Sequence, residues 1–156
     1  MKTIKILIIF LLFSGVNCAQ SVNKYVLMSG DTDETIREFD FSSGSRGRSH
    51  NVTIRKDSAF IETINRIHRT DSKKTRIKIN NTDWENLKQA ISGSKFTELV
   101  NLPSPSNNRS FDGASISVIT IQTNRSSYRS GEFDDYNPNA RLTKLIQIMQ
   151  EIENRK

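Results

Sequence analysis

Two polar loops hold the residues best suited to chemistry. The stretch "NNRSFDG", residues 107–113, carries Arg109 and Asp112, and "GEFDDYNP", residues 131–138, carries Asp134, Asp135 and Tyr136. Carboxylates beside a guanidinium and a phenol can form a polar binding site or a weak acid–base pair. Each also has a plainer use. Asp112 can organise a turn, and Asp134 and Asp135 favour the N-terminus of a following helix. The plainer reading is the favoured one, so no catalytic residue is assigned.

Other chemistries find less support. Asp31-x-Asp33-x-Thr35 matches a phosphatase pattern in which the first Asp attacks phosphorus and the second protonates the leaving group. That motif should follow a buried parallel strand directly, yet Ser29 and Gly30 intervene and no strand–helix alternation follows. The same string fails as a calcium loop, because Ile36 stands where the sharp turn needs glycine. His50 and His68 have no histidine or cysteine at ligand spacing, and a zinc site needs three or four such ligands. No G-x-S-x-G elbow is present. Neither a metal nor a cofactor is expected. His50 is expected in a loop or at a strand edge, and His68 on the polar face of a strand.

Cys18, the only cysteine, closes "LLFSGVNC". It follows Lys2, Lys5 and the apolar run 6–13, a positive segment and a hydrophobic segment of signal-peptide length. The run is shorter than the ~20 apolar residues a membrane span needs. A lipid-accepting cysteine sits directly after such a run, as Cys18 does. Asn17 before it, and Gly15 where an aliphatic residue is usual, depart from the lipoprotein pattern. Lipidation at Cys18 is favoured over ordinary cleavage after Cys18 or Ala19. Both fates export the domain, and a single cysteine permits no internal disulfide. Residues 1–18 are therefore a signal peptide, 19–34 a polar leader and 35–156 one domain. Removal of Lys2 and Lys5 takes two of 23 basic residues and none of 17 acidic ones, which leaves the chain mildly basic.

The elements that would position these residues read from periodicity. Arg37, Phe39 and Phe41 alternate with polar neighbours, as do Val52 and Ile54, and Thr75, Ile77 and Ile79. "SSGSRGRSH", 42–50, reads as a loop and "RKDS", 55–58, as a turn. Short connections imply an antiparallel meander. Thr82 and Glu85 suggest a capping box, Trp84, Leu87 and Ile91 a helical face, and Gly93 its stop. A hairpin turns near Asn124 and Arg125, and Asn137-Pro138 marks the start of a last helix with a Leu142, Leu145, Ile146, Met149, Ile152 stripe. The fold class expected is α+β, an antiparallel meander with two helices on one face. Arg55, Arg66, His68, Arg76 and Lys78 in strands, with Lys73 and Lys74 in a turn, could form a basic stripe. Glu62 is interleaved and no aromatic platform is evident, so a solvated face that resists edge pairing is favoured and nucleic-acid binding is not expected.

The last half of the chain resembles small uncharacterised exported proteins and lipoproteins of Bacteroidota. The shared elements are the Pro103 to Pro105 loop, Asp112-Gly113-Ala114 opening a strand, Tyr128 on the return strand, Phe133-Asp134, and the final amphipathic helix; Cys18-Ala19-Gln20 after the leader fits the lipoproteins among them. The resemblance implies export and an α+β domain, and no activity. The expectation is a non-catalytic envelope protein, periplasmic or membrane-anchored through Cys18 if acylated, with a protein or glycan partner. The alternatives are a small periplasmic hydrolase using Asp112 or Asp134, and an inhibitor or immunity-like binding protein.

Overall fold

The computed structural model describes residues 34–68 and 71–155. The leader, Cys18, Asp31 and Asp33 lie outside the described residues.

Alternation builds the sheet. β1 (Ile36–Gly44), β2 (Arg48–Arg55), β3 (Ser58–Asn65) and β4 (Lys73–Lys78) form an antiparallel meander. β1 pairs on its other side with β5 (Ile116–Thr123), whose far edge is completed by β6 (Ser127–Arg129) and β7 (Phe133–Asp134). The strand order is β4-β3-β2-β1-β5-β6. α1 (Asn81–Ala90) and a 3-10 segment, Phe96–Asn101, carry the chain from β4 to the far side of β1. α2 (Ala140–Glu153) packs beside α1. The expected α+β class, with an antiparallel meander and two helices, is what the structure shows.

The core lies between helices and sheet. Phe39, Phe41, Ile54, Ile119 and Ile121 are closed off below Leu87, Leu99, Leu142, Leu145 and Ile152. Trp84 meets Phe39 edge-on, with ring centres 5.4 Å apart. Arg37 does not share the face of Phe39. A bulge between Ile36 and Glu38 shifts the register against β5, so Ile36 turns inward and Arg37 stays exposed.

Several local expectations shift. Residues 42–50 are largely strand, and only 45–47 turn. Neighbouring strands supply partners for their hydroxyls: Ser42 Oγ donates to Asn51 Oδ1 of β2 at 2.9 Å, and Ser43 Oγ accepts from Ser117 Oγ of β5 at 2.8 Å. Arg66 and His68 lie in a turn, because the Asn65 carboxamide oxygen accepts the N–H groups of Ile67 and His68 and ends β3. Lys73 and Lys74 belong to β4 rather than to a turn. The α1 capping box is Asn80 with Asp83, two residues earlier than Thr82 and Glu85. Asp83 also holds Arg155, with Nη2 to Oδ1 at 2.7 Å, which fixes the residues just after α2 against this cap. α2 is capped by Asn139, not Asn137, and Pro138 is buried ahead of it. Gly93 adopts φ 77° just past α1, as its place as a helix stop requires.

Candidate functional site

Fixed register sorts the inner face of the sheet into rows. Two rows are mostly apolar: Ile121, Phe39, Ile54, Ala59 and Ile77, then Ile119, Phe41, Val52, Ile61 and Thr75. The third row is Ser117, Ser43, His50, Thr63 and Lys73, polar across five strands. Glu153, the last residue of α2, reaches this row. Core therefore gives way to a polar shelf where the helix cover ends.

His50 is the centre of the shelf. Its Nδ1 lies 2.9 Å from Thr63 Oγ1, its partner across the β2–β3 ladder. Its Nε2 lies 2.9 Å from Glu153 Oε1, close enough for an ion pair but not aligned as a hydrogen bond. Tyr136 Oη donates to Glu153 Oε2 at 3.4 Å, while its ring stacks on Phe41 at 4.7 Å. Burial pushes the Tyr136 phenol well above its ordinary pKa, and the charges of Glu153 and Asp135 add to this, so it remains a donor. Glu153 stands at the negative end of the α2 dipole, where a carboxylate is unfavourable unless partnered. His50 and Tyr136 are those partners.

Clefts open on both sides of this wall. One, of about 520 Å³, is bordered by Ser45, Arg48, Ser115, Asp135 and Tyr136. The other, of about 600 Å³, runs beside β4 and is bordered by Ile61, Lys73, Thr75, Ile77 and Arg155. His50, Thr63 and Glu153 line both. The order hydroxyl, imidazole, carboxylate is that of a catalytic triad. Thr63, however, sits in β3 with strands paired on both edges. The backbone N–H groups around it are committed to the ladder, which leaves them unsuited to an oxyanion hole. The arrangement suits ligand binding better than acyl transfer.

The residues singled out in the two loops fall into three places. Arg109 and Asp134 come together. Asp134 is buried and accepts from the Ser106 hydroxyl, from the backbone N–H groups of Asn108 and Arg109 at 2.7 Å each, and from Arg109 Nη1 at 3.5 Å. The Ser106 hydroxyl foremost, then the two N–H groups and the guanidinium, holds its carboxyl below the usual range. It fastens the preceding loop to β7. Asp135 and Tyr136 turn to the opposite side and border the first cleft. Asp112 stands apart from both, in an exposed ion pair with Arg46 at 2.9 Å. The basic residues also divide. Arg55, Lys74, Arg76 and Lys78 share the outer face, Lys73 lies on the inner one, and Arg66 and His68 occupy the turn after β3. Phe60 supplies an aromatic on that outer face, with the guanidiniums of Arg55 and Arg76 at 5.8 and 5.2 Å from its ring centre.

His50, Thr63 and Glu153 were not singled out in the sequence as a group. The available signal was polar continuation of apolar alternation, Ser43 after Phe39 and Phe41, His50 before Val52 and Ile54, and Thr63 after Ile61. No protein-family model matches the chain, and no curated protein matches it. Among the described residues, no helix is long and apolar enough to cross a membrane.

Proposed function

We propose that the chain is an exported envelope protein whose domain binds a partner along the polar shelf and its two clefts, without catalysis. The observation that carries this reading is the polar row, which extends the sheet floor past the end of α2. Glu34 lies at the opposite end of the sheet, where it accepts from Thr123 Oγ1 at 2.6 Å and Tyr128 Oη at 2.9 Å. β1, nine residues long, then runs about 30 Å to the shelf end. A leader anchored through Cys18, or cut next to it, would join the domain at the end of β1 opposite the shelf. Asp134 is saturated by structural hydrogen bonds, which gives the hydrolase alternative little to work with there.

Two measurements test this. Intact mass of the protein from native envelope fractions should show a chain that begins at Cys18 with acyl groups, or just after it. A chain that retains Met1 would refute export. Photo-crosslinkers placed at Arg48 and Lys73, at the shelf rims, should trap a partner in the native host, whereas one at Lys56, in the turn at the other end, should not. Crosslinks confined to Lys56 would refute the assignment of the binding surface.

A further inference from the structure

The two edges of the sheet are treated differently. At the β6–β7 edge the strand is broken, and the chain's own Phe96–Leu102 region lies against it. Gly131 N–H donates to Leu99 O at 3.2 Å, and a Cβ at Gly131 would stand 3.1 Å from the carbonyl oxygens of Val100 and Leu102. β4 forms the other edge and pairs only with β3 among the described residues. Its outward N–H and C=O groups form a template for one more strand.

The side chains on β4 select what could fill that place. Four of its six residues are Lys73, Lys74, Arg76 and Lys78. Lys74 is engaged with Glu62 at 2.6 Å, while Lys73, Arg76 and Lys78 have no acid within ion-pair distance among the described residues. Edge lysines ordinarily repel pairing with a second copy, and a second β4 would bring the same charge. The repulsion inverts for an acidic strand. On the inner side the edge borders the 600 Å³ cleft, whose apolar floor is Ile61 and Ile77. An added strand would send alternate side chains to the two faces. One set would enter this cleft beside α2, and the other would lie along Lys74, Arg76 and Lys78.

We propose that the β4 edge takes an acidic extended segment of a partner protein by strand addition, with small or apolar side chains directed into the cleft and acidic ones onto the outer lysines and arginine. This rests on the binding reading above and names the partner's chemistry. Six residues of β4 match a peptide of about six to eight residues at about 3.3 Å each.

The test uses the processed full-length protein and a labelled peptide of alternating Glu and Val, followed by fluorescence anisotropy. Two further peptides carry N-methyl groups on alternate residues, one in each phase. In an added strand only every second amide faces β4. One phase should therefore lose about tenfold or more in affinity, as expected for two or three lost hydrogen bonds, while the other stays within about threefold. Charge reversal of both Arg76→Glu and Lys78→Glu, exposed positions without an acid partner among the described residues, should abolish binding and leave the thermal transition in place. Equal behaviour of the two methylated phases overturns strand addition, as does equal binding of a heparin fragment or duplex DNA. Failure of all peptides overturns this proposal alone; the binding reading stands or falls separately on crosslinks at Arg48 and Lys73.

Discussion

Asp40 sits on the outer face of β1, where Thr53 Oγ1 donates to it at 2.7 Å. Its carboxyl is pushed up from 3.8 to about 6, first by burial and further by the neighbouring charge of Glu38, against the opposing pull of the Thr53 hydroxyl and of Arg55. A carboxyl with a raised folded-state pKa binds its proton more tightly in the native protein than in the unfolded chain. The stability this contributes is complete below about pH 3.8 and is lost as pH rises through about 6. Two pKa units correspond to about 3 kcal/mol for an enclosed group, and the partial exposure of Asp40 reduces this to about 1 kcal/mol.

Asp40→Asn retains an acceptor for Thr53 and removes the charge. The variant should gain about 1 kcal/mol at pH 8, about 4 °C in Tm, and the gain should close to nothing by about pH 4. Urea unfolding followed by Trp84 fluorescence reads this directly, since the only tryptophan is 4 % exposed and packs on Phe39. Asp83 and Asp134, both held below the ordinary carboxylate range, bend the total pH curve the other way. Only the difference between variant and parent isolates Asp40. A gain equal at pH 4 and pH 8, or a loss at pH 8, would refute the reasoning.

Arg155→Met removes the paired hydrogen bonds to Asp83 and should cost about 1 kcal/mol at pH 7. Because those bonds lower the Asp83 pKa, the cost should shrink as pH falls below the ordinary carboxylate range, again by urea unfolding. Asp134→Ala should raise hydrogen exchange at the Asn108 and Arg109 amides while the amides of Phe39 and Ile121 stay protected, and a uniform rise across the sheet would contradict its local role. Gly131→Ala should destabilise by about 1–3 kcal/mol, because its Cβ would crowd two carbonyl oxygens, and an unchanged melting temperature would show that the segment yields freely. Leu145→Ala, at a fully closed position, should cost about 2–5 kcal/mol in the same unfolding assay.

Much of the fold was legible because its strands and helices repeat with different periods. Val52 and Ile54 on β2, and the Leu142, Leu145, Ile146, Met149, Ile152 stripe of α2, are buried as their spacing requires. The 42–50 stretch was not legible, because serine and glycine read as loop until a neighbouring strand supplies partners for their hydroxyls. Both helix starts were displaced by two residues for a related reason. Asn80 and Thr82 can each cap, as can Asn137 and Asn139, and tertiary contacts such as Asp83 with Arg155 choose between them. The place of β5 beside β1, rather than beside β4, has no local signal. It depends on α1 and the Phe96–Asn101 segment spanning the sheet face.

The candidate site was illegible in a more specific way. Asp134 and Asp135 are neighbours of the same type, and the sequence invites one role for both. Asp134 lies in β7 opposite Ile116, so it points outward, into the loop that it fastens. Asp135 follows at φ 48°, a left-handed turn that ends the strand. That single dihedral sends Tyr136 back across Phe41 toward Glu153. Two adjacent carboxylates are thereby assigned to opposite sides of one edge, one consumed by structure and one left at the rim of a cleft. The His50 row depends on register in the same way, since a slip of one residue in β2 would move His50 to the outer face and leave Glu153 with Tyr136 alone of its two partners. The site is thus a property of strand pairing rather than of any motif, and it is through the pairing that its residues meet.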